Sequence, residues 1–206
     1  MTTENTCLMT DIADRLAIRE LLESWVLWRD ARQWERFRTL WHPEGEMWAT
    51  WFKGGYEDFI KVSQEGFERG ARVVHMLGGH TADIAGHRAI AQTKLTITQR
   101  APVEGLLCDV ACMGRAYDFL EKRDGRWGIV RRRHIYERDR IDLVEPGATP
   151  TLDPKLLAQF PEGYRHLAYL QTKMGYAVKR DLPGLDGPAL EALYADGTRW
   201  LKGGTI

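Results

Sequence analysis

The sequence has no long hydrophobic run and no excess of charge of either sign. No apolar stretch approaches the roughly 18 residues that a membrane-spanning helix needs, and the polar first residues do not resemble a secretory signal. Lysine plus arginine and aspartate plus glutamate number 29 each, so the formal net charge is zero. A neutral chain offers no electrostatic reason to bind nucleic acid or acidic lipid. We therefore expect neither nucleic acid nor a membrane as a partner.

Cysteine is scarce, with only Cys7, Cys108 and Cys112. Cys108 and Cys112 fall in one predicted strand, where they would lie roughly 13 Å apart at the rise of a strand. That separation is too large for a disulfide between them. Sparse, unpaired cysteines favour a reduced protein in the cytoplasm.

The signature motifs of cofactor and metal enzymes are missing. The sequence contains no glycine-rich nucleotide fingerprint, no phosphate-binding loop and no HExxH, CxxC or GxSxG motif. Three histidines and an aspartate in one region are candidate metal ligands, namely His75, His80, His87 and Asp83, but a turn at Gly86 leaves their geometry open. We expect no cofactor and no metal.

Helical periodicity is present in the first third of the chain. Apolar residues recur at helical spacing over 11–29, 31–41 and 56–69. Thr10 or Asp11 is the expected cap of the first helix, and His42-Pro43 is expected to end the second. A strand over 46–52 and a turn at Gly54-Gly55 separate the second helix from the third.

Alternating, β-rich segments follow from residue 73 to residue 144. The predicted strands are 73–77, 89–99, 106–122 and 127–144, separated by turn signals at Gly78-Gly79, Ala85-Gly86, Ala101-Pro102 and Asp124-Gly125. The Asp-Gly pair is typical of a type I′ hairpin. Strands this long are expected to curve or to contain bulges. The order of elements predicts an α+β fold with helices packed on one face of a curved antiparallel sheet.

The composition changes at Glu145, where prolines begin to space out the chain. We expect a domain over residues 1–144 and a C-terminal arm over 145–206, with short helices at 154–159, 163–177 and 187–201. The arm is too rich in large apolar side chains to be disordered. Because a domain over 1–144 should already be complete, the arm is expected to cover the pocket mouth, the outer sheet face or a second subunit.

Residues 25–34, WVLWRDARQW, place the carboxylate of Asp30 among tryptophans and arginines. An exposed helix end would explain this residue, and so would a catalytic acid or base in an aromatic pocket. Alternation along the last strand puts four residues on one face, namely Val130, Arg132, His134 and Tyr136, of which the last three are polar. The opposite face would hold Trp127, Ile129, Arg131 and Ile135. The polar set either lines a cavity or faces solvent.

Three segments resemble the SnoaL-like proteins of the NTF2-like superfamily. They are DIADRLAIRELLESWVLWRDARQWERFRTLWHPEGEMW at 11–48, VVHMLGGH at 73–80 and EKRDGRWGIVRRRHIYE at 121–137, within a resemblance that spans roughly 10–142. The resemblance implies a cystatin-like cone, in which a curved antiparallel sheet wraps round helices and a pocket opens at the wide end. The arm from residue 145 lies outside it.

Within that superfamily the chain most resembles the scytalone dehydratase and hexachlorocyclohexane dehydrochlorinase families. The resemblance implies a cofactor-free Asp–His pair at Asp30 and His75, with Arg132 as a third catalytic residue. Gln99 stands near the position of a second histidine in the dehydratases, so the chain departs from their pattern there. The residues expected to bind substrate are Trp25, Trp28, Trp48, Trp51, His134, Tyr136, Gln99 and Tyr117. Aromatic walls favour flat, hydrophobic ligands, although each tryptophan is also a good core residue.

These features predict a cofactor-independent lyase acting on an aromatic or polycyclic small molecule. Dehydration is the first expected reaction, and C–C cleavage that releases formaldehyde from a lignin-derived diarylpropane is the second. An isomerase or polyketide cyclase would use the same acid–base pair. A non-catalytic ligand-binding protein, or a β-type subunit of a ring-hydroxylating dioxygenase, would share the fold. Relatives with this pair are often trimers, so we expect a homo-oligomer, either a trimer or a dimer.

Overall fold

The protein is described here by a computed structural model, which covers residues 3–147 and 149–206 and gives side chains from residue 9 onward. The helices are α1 (Thr3–Asp30), α2 (Trp34–Arg38), α3 (Tyr56–Glu68), α4 (Pro154–Leu157), α5 (Arg165–Lys173) and α6 (Pro188–Leu201). The strands are β1 (Trp41–Trp48), β2 (Lys53–Gly55), β3 (Arg72–Ala85), β4 (Arg88–Val103), β5 (Leu106–Arg123) and β6 (Arg126–Leu143).

The six strands form one mixed sheet in the order β2-β1-β6-β5-β4-β3. The meander from β3 to β6 is antiparallel, as predicted, whereas β1 joins β6 in parallel. Asp124 and Gly125 both have positive φ, at 50° and 79°, which confirms the left-handed turn of the last hairpin. The α+β class is confirmed.

Helix α1 buries one stripe against the concave, inner face of the sheet. Its inward residues follow helical spacing, namely Ile18, Leu21, Leu22, Trp25, Val26 and Arg29. Phe59 and Ile60 of α3 join the same core cluster, together with Leu95 and Leu120 of the sheet. The last turn of α1 therefore carries Arg29 and Asp30 into the sheet rather than into solvent.

Several predicted boundaries were wrong, and most of these errors arose because strands continue through residues that usually break them. Helix α1 begins well before the expected cap at Thr10 or Asp11, and α2 ends at Arg38, so His42-Pro43 lies inside β1. Gly54-Gly55 pairs with β1 as part of β2. The pair Gly78-Gly79 is a bulge opposite Lys94, and the strand runs on. The turn expected at Ala101-Pro102 occurs at Glu104-Gly105.

Two bulges in β6 reset which side chains face inward, and they confirm the prediction that such long strands are irregular. Val130 is the extra residue between the partners of Leu120 and Phe119, and Glu137 is the extra residue further along. Arg132 and His134 share the inner face as predicted. Trp127 and Ile129 also face inward, which corrects the predicted alternation, because the bulge shifts the parity by one.

The arm packs on both faces of the sheet. Helix α5 covers the inner face at the end that α1 leaves open, where Leu167 and Leu170 meet Val110 and Tyr136. Helix α6 covers the outer face. Strands of 16 to 18 residues are longer than α1–α3 can cover, so the arm completes the core rather than adding to a finished one. The division of the chain at residue 144 stays a prediction.

Two further sequence predictions concern thiols and membrane spans. Cys108 and Cys112 are buried free thiols in β5, and the side chain of Cys7 lies outside the described residues. Within the described part of the chain, none of the helices has the length and apolar character needed to cross a membrane.

Candidate active site

A cavity of about 70 Å³, counted as space for the centre of a water molecule, lies between the inner face of the sheet and helices α1, α3 and α5. This is several times the roughly 15 Å³ that a single water needs. Trp25 and Arg29 reach it from α1, and Phe59, Ser63 and Phe67 reach it from α3. The sheet contributes Met47, Val73, His75, Ile97, Gln99, His134 and Tyr136. The chain thus builds a mostly apolar chamber with a few polar groups, as small-molecule sites usually have.

Asp30 and His75 form a bidentate pair, in which His75 lines the cavity and Asp30 lies behind it. The backbone N–H of His75 donates to Oδ2 of Asp30, and Nδ1 of the ring donates to Oδ1, both over 2.7 Å. A carboxylate only accepts, so the proton of the neutral ring sits on Nδ1 and the lone pair on Nε2. The predicted hydrogen-bond contact is present, and the catalytic role of the pair stays a prediction.

The His75 imidazole is held in its neutral form. Burial, followed by the nearby charge of Arg29, lowers its pKa to about 4, while Asp30 acts in the opposite direction. Its side chain is 5% exposed, and that of Asp30 is 19% exposed. At neutral pH the ring can therefore accept a proton, and Asp30 is placed to stabilise the imidazolium that would result.

His134 supplies a second neutral imidazole on the cavity wall. Its Nδ1 donates to the backbone carbonyl of Trp48 over 3.2 Å, so Nε2 carries the lone pair. That Nε2 is buried and has no hydrogen-bond partner. Burial, and then the charge of Arg132, lowers the pKa of His134 to about 3. The chamber thus holds two histidines, although the position resembling the second histidine of the dehydratases is occupied by Gln99.

Arg29 is a buried cation that the sequence reasoning did not single out. Its Nη1 lies 3.5 Å from Oδ1 of Asp30, and burial lowers its pKa to about 10. The guanidinium is flanked by the rings of Trp25, Phe59 and Phe67 at 5.5 to 5.8 Å. Helical spacing could have predicted that Arg29 faces inward, because it lies one turn after Trp25 on the inward stripe of α1.

The arm supplies a wall of the cavity, close to the pocket position that was one of its three expected places, but none of its lining residues was predicted. Gln171 of α5 accepts a 2.6 Å hydrogen bond from the hydroxyl of Thr50. Tyr176 packs on Trp51 with ring centroids 5.1 Å apart. Gln99, which lines the cavity, donates to the sulfur of Met174 over 3.3 Å. Closure of the chamber therefore depends on residues beyond 145, which carry no motif.

Arg132 does not line the cavity, although it was predicted as a third catalytic residue. It forms a bidentate ion pair with Asp118, at 2.6 and 3.0 Å, and both side chains are almost fully buried. Asp118 is its cross-strand neighbour on β5, so the pairing follows from the register. The guanidinium of Arg132 lies 4.2 Å from the Trp25 ring. Arg132 therefore packs against the Trp25 ring and does not face a ligand in the cavity.

Three of the predicted substrate-binding residues lie elsewhere. Trp28 packs under Arg36 outside the cavity. Trp48 points to the outer face, where Lys53, Arg131 and Arg133 stack on it, because it follows the inward Met47 on β1. Tyr117 faces α6 in the outer cluster. The other five predicted binding residues do line the cavity, namely Trp25, Trp51, Gln99, His134 and Tyr136.

The histidines considered as metal ligands are separated in the structure. His75 binds Asp30, whereas Nδ1 of His80 contacts the hydroxyl of Thr93 at 2.8 Å. Among the described residues, no group of three or more histidines, cysteines, aspartates or glutamates could hold a metal ion.

Sequence comparison matches residues 10–133 to the model of the SnoaL-like domain. A PEP2-like protein of Fusarium vanettenii is 38% identical over 206 residues, covering 95% of this chain and 88% of that protein. Pea pathogenicity protein 2 of the same fungus is 38% identical over 204 residues, covering 94% and 88%. These names state no reaction.

Structure comparison finds the same architecture in solved proteins. A hexachlorocyclohexane dehydrochlorinase aligns with a TM-score of 0.58 at 14% identity, covering 70% of this chain and 99% of that one. A scytalone dehydratase candidate from Novosphingobium aromaticivorans aligns at 0.54 and 20% identity, covering 69% and 95%. An NTF2-like protein with a cystatin-like fold, from the same bacterium, aligns at 0.52 and 21%, covering 73% and 94%. At these identities the likeness concerns the fold.

Proposed function

The chain belongs to the SnoaL-like family and has the NTF2-like, cystatin-like fold, and from this premise we propose that it is a cofactor-independent lyase for an aromatic or polycyclic small molecule. The observation that carries the proposal is His75, which lines an aromatic chamber and is hydrogen-bonded to Asp30 behind it. The fold is shared with a dehydrochlorinase and a dehydratase candidate, which supports elimination chemistry by analogy of fold.

The pair would act by moving one proton. Nε2 of His75 takes a proton from a carbon of the substrate, and the electrons of that C–H bond form a new double bond. The leaving group on the neighbouring carbon departs with its electron pair. In a dehydration the imidazolium returns the proton to the departing hydroxyl, so water leaves and His75 is neutral again. No external reductant, oxidant or proton donor is needed.

Asp30 would stabilise the charged state of His75 that exists during this step. A carboxylate paired with Nδ1 fixes the tautomer and offsets the imidazolium charge, more strongly in a chamber of low dielectric. Positioned acid–base groups supply about 10² to 10⁴-fold in rate. The C–H bond must therefore already be activated, as at a carbonyl-adjacent, benzylic or allylic carbon. Formaldehyde-releasing C–C cleavage would begin instead with an O–H proton taken by the same nitrogen. The O–H electrons would form the C=O bond of formaldehyde, the C–C electrons would form the new double bond, and a hydroxyl on the neighbouring carbon would leave as water with the proton returned by His75.

A second candidate function is isomerisation or cyclisation. Its support is the second neutral imidazole, because His134 also lines the cavity and its Nε2 has no hydrogen-bond partner. One histidine could take a proton from one carbon while the other, once protonated, donates a proton to a second carbon, and no leaving group would be lost. The mass of the product separates the two functions, since a lyase product is lighter than its substrate and an isomer is not.

The test is turnover of a panel of dehydratable and deformylatable aromatic compounds, with and without a chelator. We expect at least one compound to react equally well in both conditions. His75→Asn keeps a donor at the position of Nδ1 for Asp30 but removes the accepting Nε2, so kcat should fall about 100-fold or more. His87→Asn is the matched control, since the side chain of His87 is 69% exposed and remote from the cavity. Unchanged turnover in His75→Asn would contradict the proposal.

A further inference from the structure

Unpartnered polar atoms of the described residues concentrate at the cavity. Nine buried side-chain nitrogen and oxygen atoms lack a hydrogen-bond partner, and five belong to residues that line this chamber. They are Nε1 of Trp25, Nε and Nη1 of Arg29, Oγ of Ser63 and Nε2 of His134. A buried polar atom without a partner destabilises the fold. Such a concentration is expected where a ligand supplies the missing partners.

Arg29 is the strongest donor in this set. It is 6% exposed, and the rings of Phe59, Phe67 and Trp25 surround it. Its ion-pair partner, Asp30, already accepts two hydrogen bonds from His75. Among the described residues, the Nε–H group of Arg29 therefore has no acceptor, and Nη1 has only the longer, 3.5 Å ion pair with Asp30.

Ser63 lies on the same side of the chamber as this guanidinium. It stands one helical turn from both Phe59 and Phe67 on α3, so all three share one helix face. The two phenylalanines flank Arg29 at 5.5 and 5.7 Å. The unpartnered hydroxyl of Ser63, which is 4% exposed, thus lies between two rings that contact the guanidinium.

We infer that Arg29 and Ser63 form an oxyanion-binding end of the chamber, and that the ligand is an aromatic compound carrying an acidic oxygen, as a carboxylate or a phenolate. Guanidinium groups bind such oxygens with short, charge-assisted hydrogen bonds. This inference rests on the proposed function for its substrate, but its binding claim stands on the cavity alone.

The position of Trp25 places the two ends of the chamber within one small ligand. Its ring centroid lies 5.6 Å from that of His75 and 5.8 Å from Cζ of Arg29. An aromatic ligand against Trp25 can therefore place an oxygen at Arg29 and an adjacent C–H bond at His75. Arg29 would then hold the anionic oxygen while His75 takes the neighbouring proton. Arg132 is not available for this task, because Asp118 holds it outside the cavity.

The experiment is a comparison of anionic and neutral probes by isothermal titration calorimetry on the full-length protein. The carboxylate arm compares naphthoate with naphthamide, and the phenolate arm compares ionised nitrophenolate with nitrobenzene. We expect at least one anion to bind about tenfold or more tightly than its neutral partner. Whichever arm shows the preference identifies the source of the oxyanion. Equal binding of anion and neutral partner in both arms, or no binding of any probe, would overturn the inference.

Variants tie the preference to the residue. Arg29→Met is close in shape and should abolish the preference for the anion, whereas Ser63→Ala should weaken it severalfold. Arg36→Met is the matched control, since Arg36 is exposed on Trp28 outside the cavity. If Arg29→Met does not fold, Ser63→Ala and the wild-type comparison still decide the outcome. A preference that persists in Arg29→Met contradicts the inference.

The proposed function can fail without this inference failing. His75→Asn should keep the anion preference, because His75 does not form the oxyanion end. A protein that binds naphthoate through Arg29 but turns over no compound would be a binding protein for aromatic acids. Arg29→Met could lose the preference and still turn over a neutral substrate normally. That result would leave the lyase proposal standing and would overturn the claim that the substrate carries an acidic oxygen.

Discussion

Two buried neutral histidines should make the stability of this protein depend steeply on pH below neutrality. The pKa of His75 lies at about 4 and that of His134 at about 3 in the fold, against 6.5 in an unfolded chain. Between these values the unfolded chain takes up a proton at each ring and the folded chain does not. Protonation therefore favours unfolding, so the stabilisation is fully present above pH 6.5 and is lost as the pH falls towards 4.

The size of the effect follows from the two pKa shifts. Moving from pH 7 to pH 5 should lower the free energy of unfolding by about 2 kcal/mol for each histidine, or about 4 kcal/mol for the pair. His134→Asn keeps a donor for the carbonyl of Trp48 but cannot take up a proton. It should lose about 2 kcal/mol less than the wild type over the same interval, whatever its stability at pH 7.

Urea unfolding at pH 7 and pH 5 measures this difference directly. Each protein is compared with itself at the two pH values, so any stability change that the substitution causes at both cancels out. His87→Asn, an exposed histidine, should behave as the wild type does. If His134→Asn and the wild type lose the same free energy between pH 7 and pH 5, the account of a buried, neutral imidazole is refuted.

Three further predictions follow from the packing. Arg132→Met should lower the free energy of unfolding in urea by about 3–5 kcal/mol, because Asp118 would remain buried without its partner. Adding Asp118→Leu should recover most of that loss. A single variant as stable as the wild type would contradict the buried pair. Truncation after Val144 should give an unfolded or aggregated chain by circular dichroism and light scattering, since both sheet faces lose their cover; an unchanged melting temperature would contradict this. We also propose a homo-oligomer, a trimer or a dimer, because Val74 and Met76 are 56% and 71% exposed on the edge strand β3; Met76→Lys should lower the mass by light scattering, and a monomeric wild type would rule the proposal out.

Periodicity predicted the main elements of the fold because they depend on local patterns. The inward stripe of α1, the four-strand meander and the Asp124-Gly125 hairpin were all readable from spacing and turn chemistry. The errors fall where tertiary contacts override local signals. Gly78-Gly79 is a bulge because β4 continues to pair on both sides of it. Two glycines in a strand look the same in sequence whether they end the strand or bend it.

The candidate site was only partly predictable for the same reason. Asp30 and His75 could be placed through the family resemblance, and their contact is local to one helix end and one strand. The position of Arg132 was predicted wrongly because its side chain pairs with Asp118. Asp118 lies 14 positions away, and the register between β5 and β6 places it opposite Arg132. The contributions of Gln171 and Tyr176 could not be foreseen, because nothing in the arm indicates which face of the sheet it covers.

The most direct test of the central claim is proton exchange catalysed at His75. Tetralone is a flat aromatic ketone with an acidic C–H bond and no leaving group, so it can lose a proton to the enzyme but cannot react further by elimination. Incubation in D₂O, followed by mass spectrometry of the recovered ketone, measures the exchange above the uncatalysed background. We predict deuterium incorporation with the wild type and with His87→Asn, and none above background with His75→Asn. Equal incorporation by His75→Asn and the wild type would contradict the account.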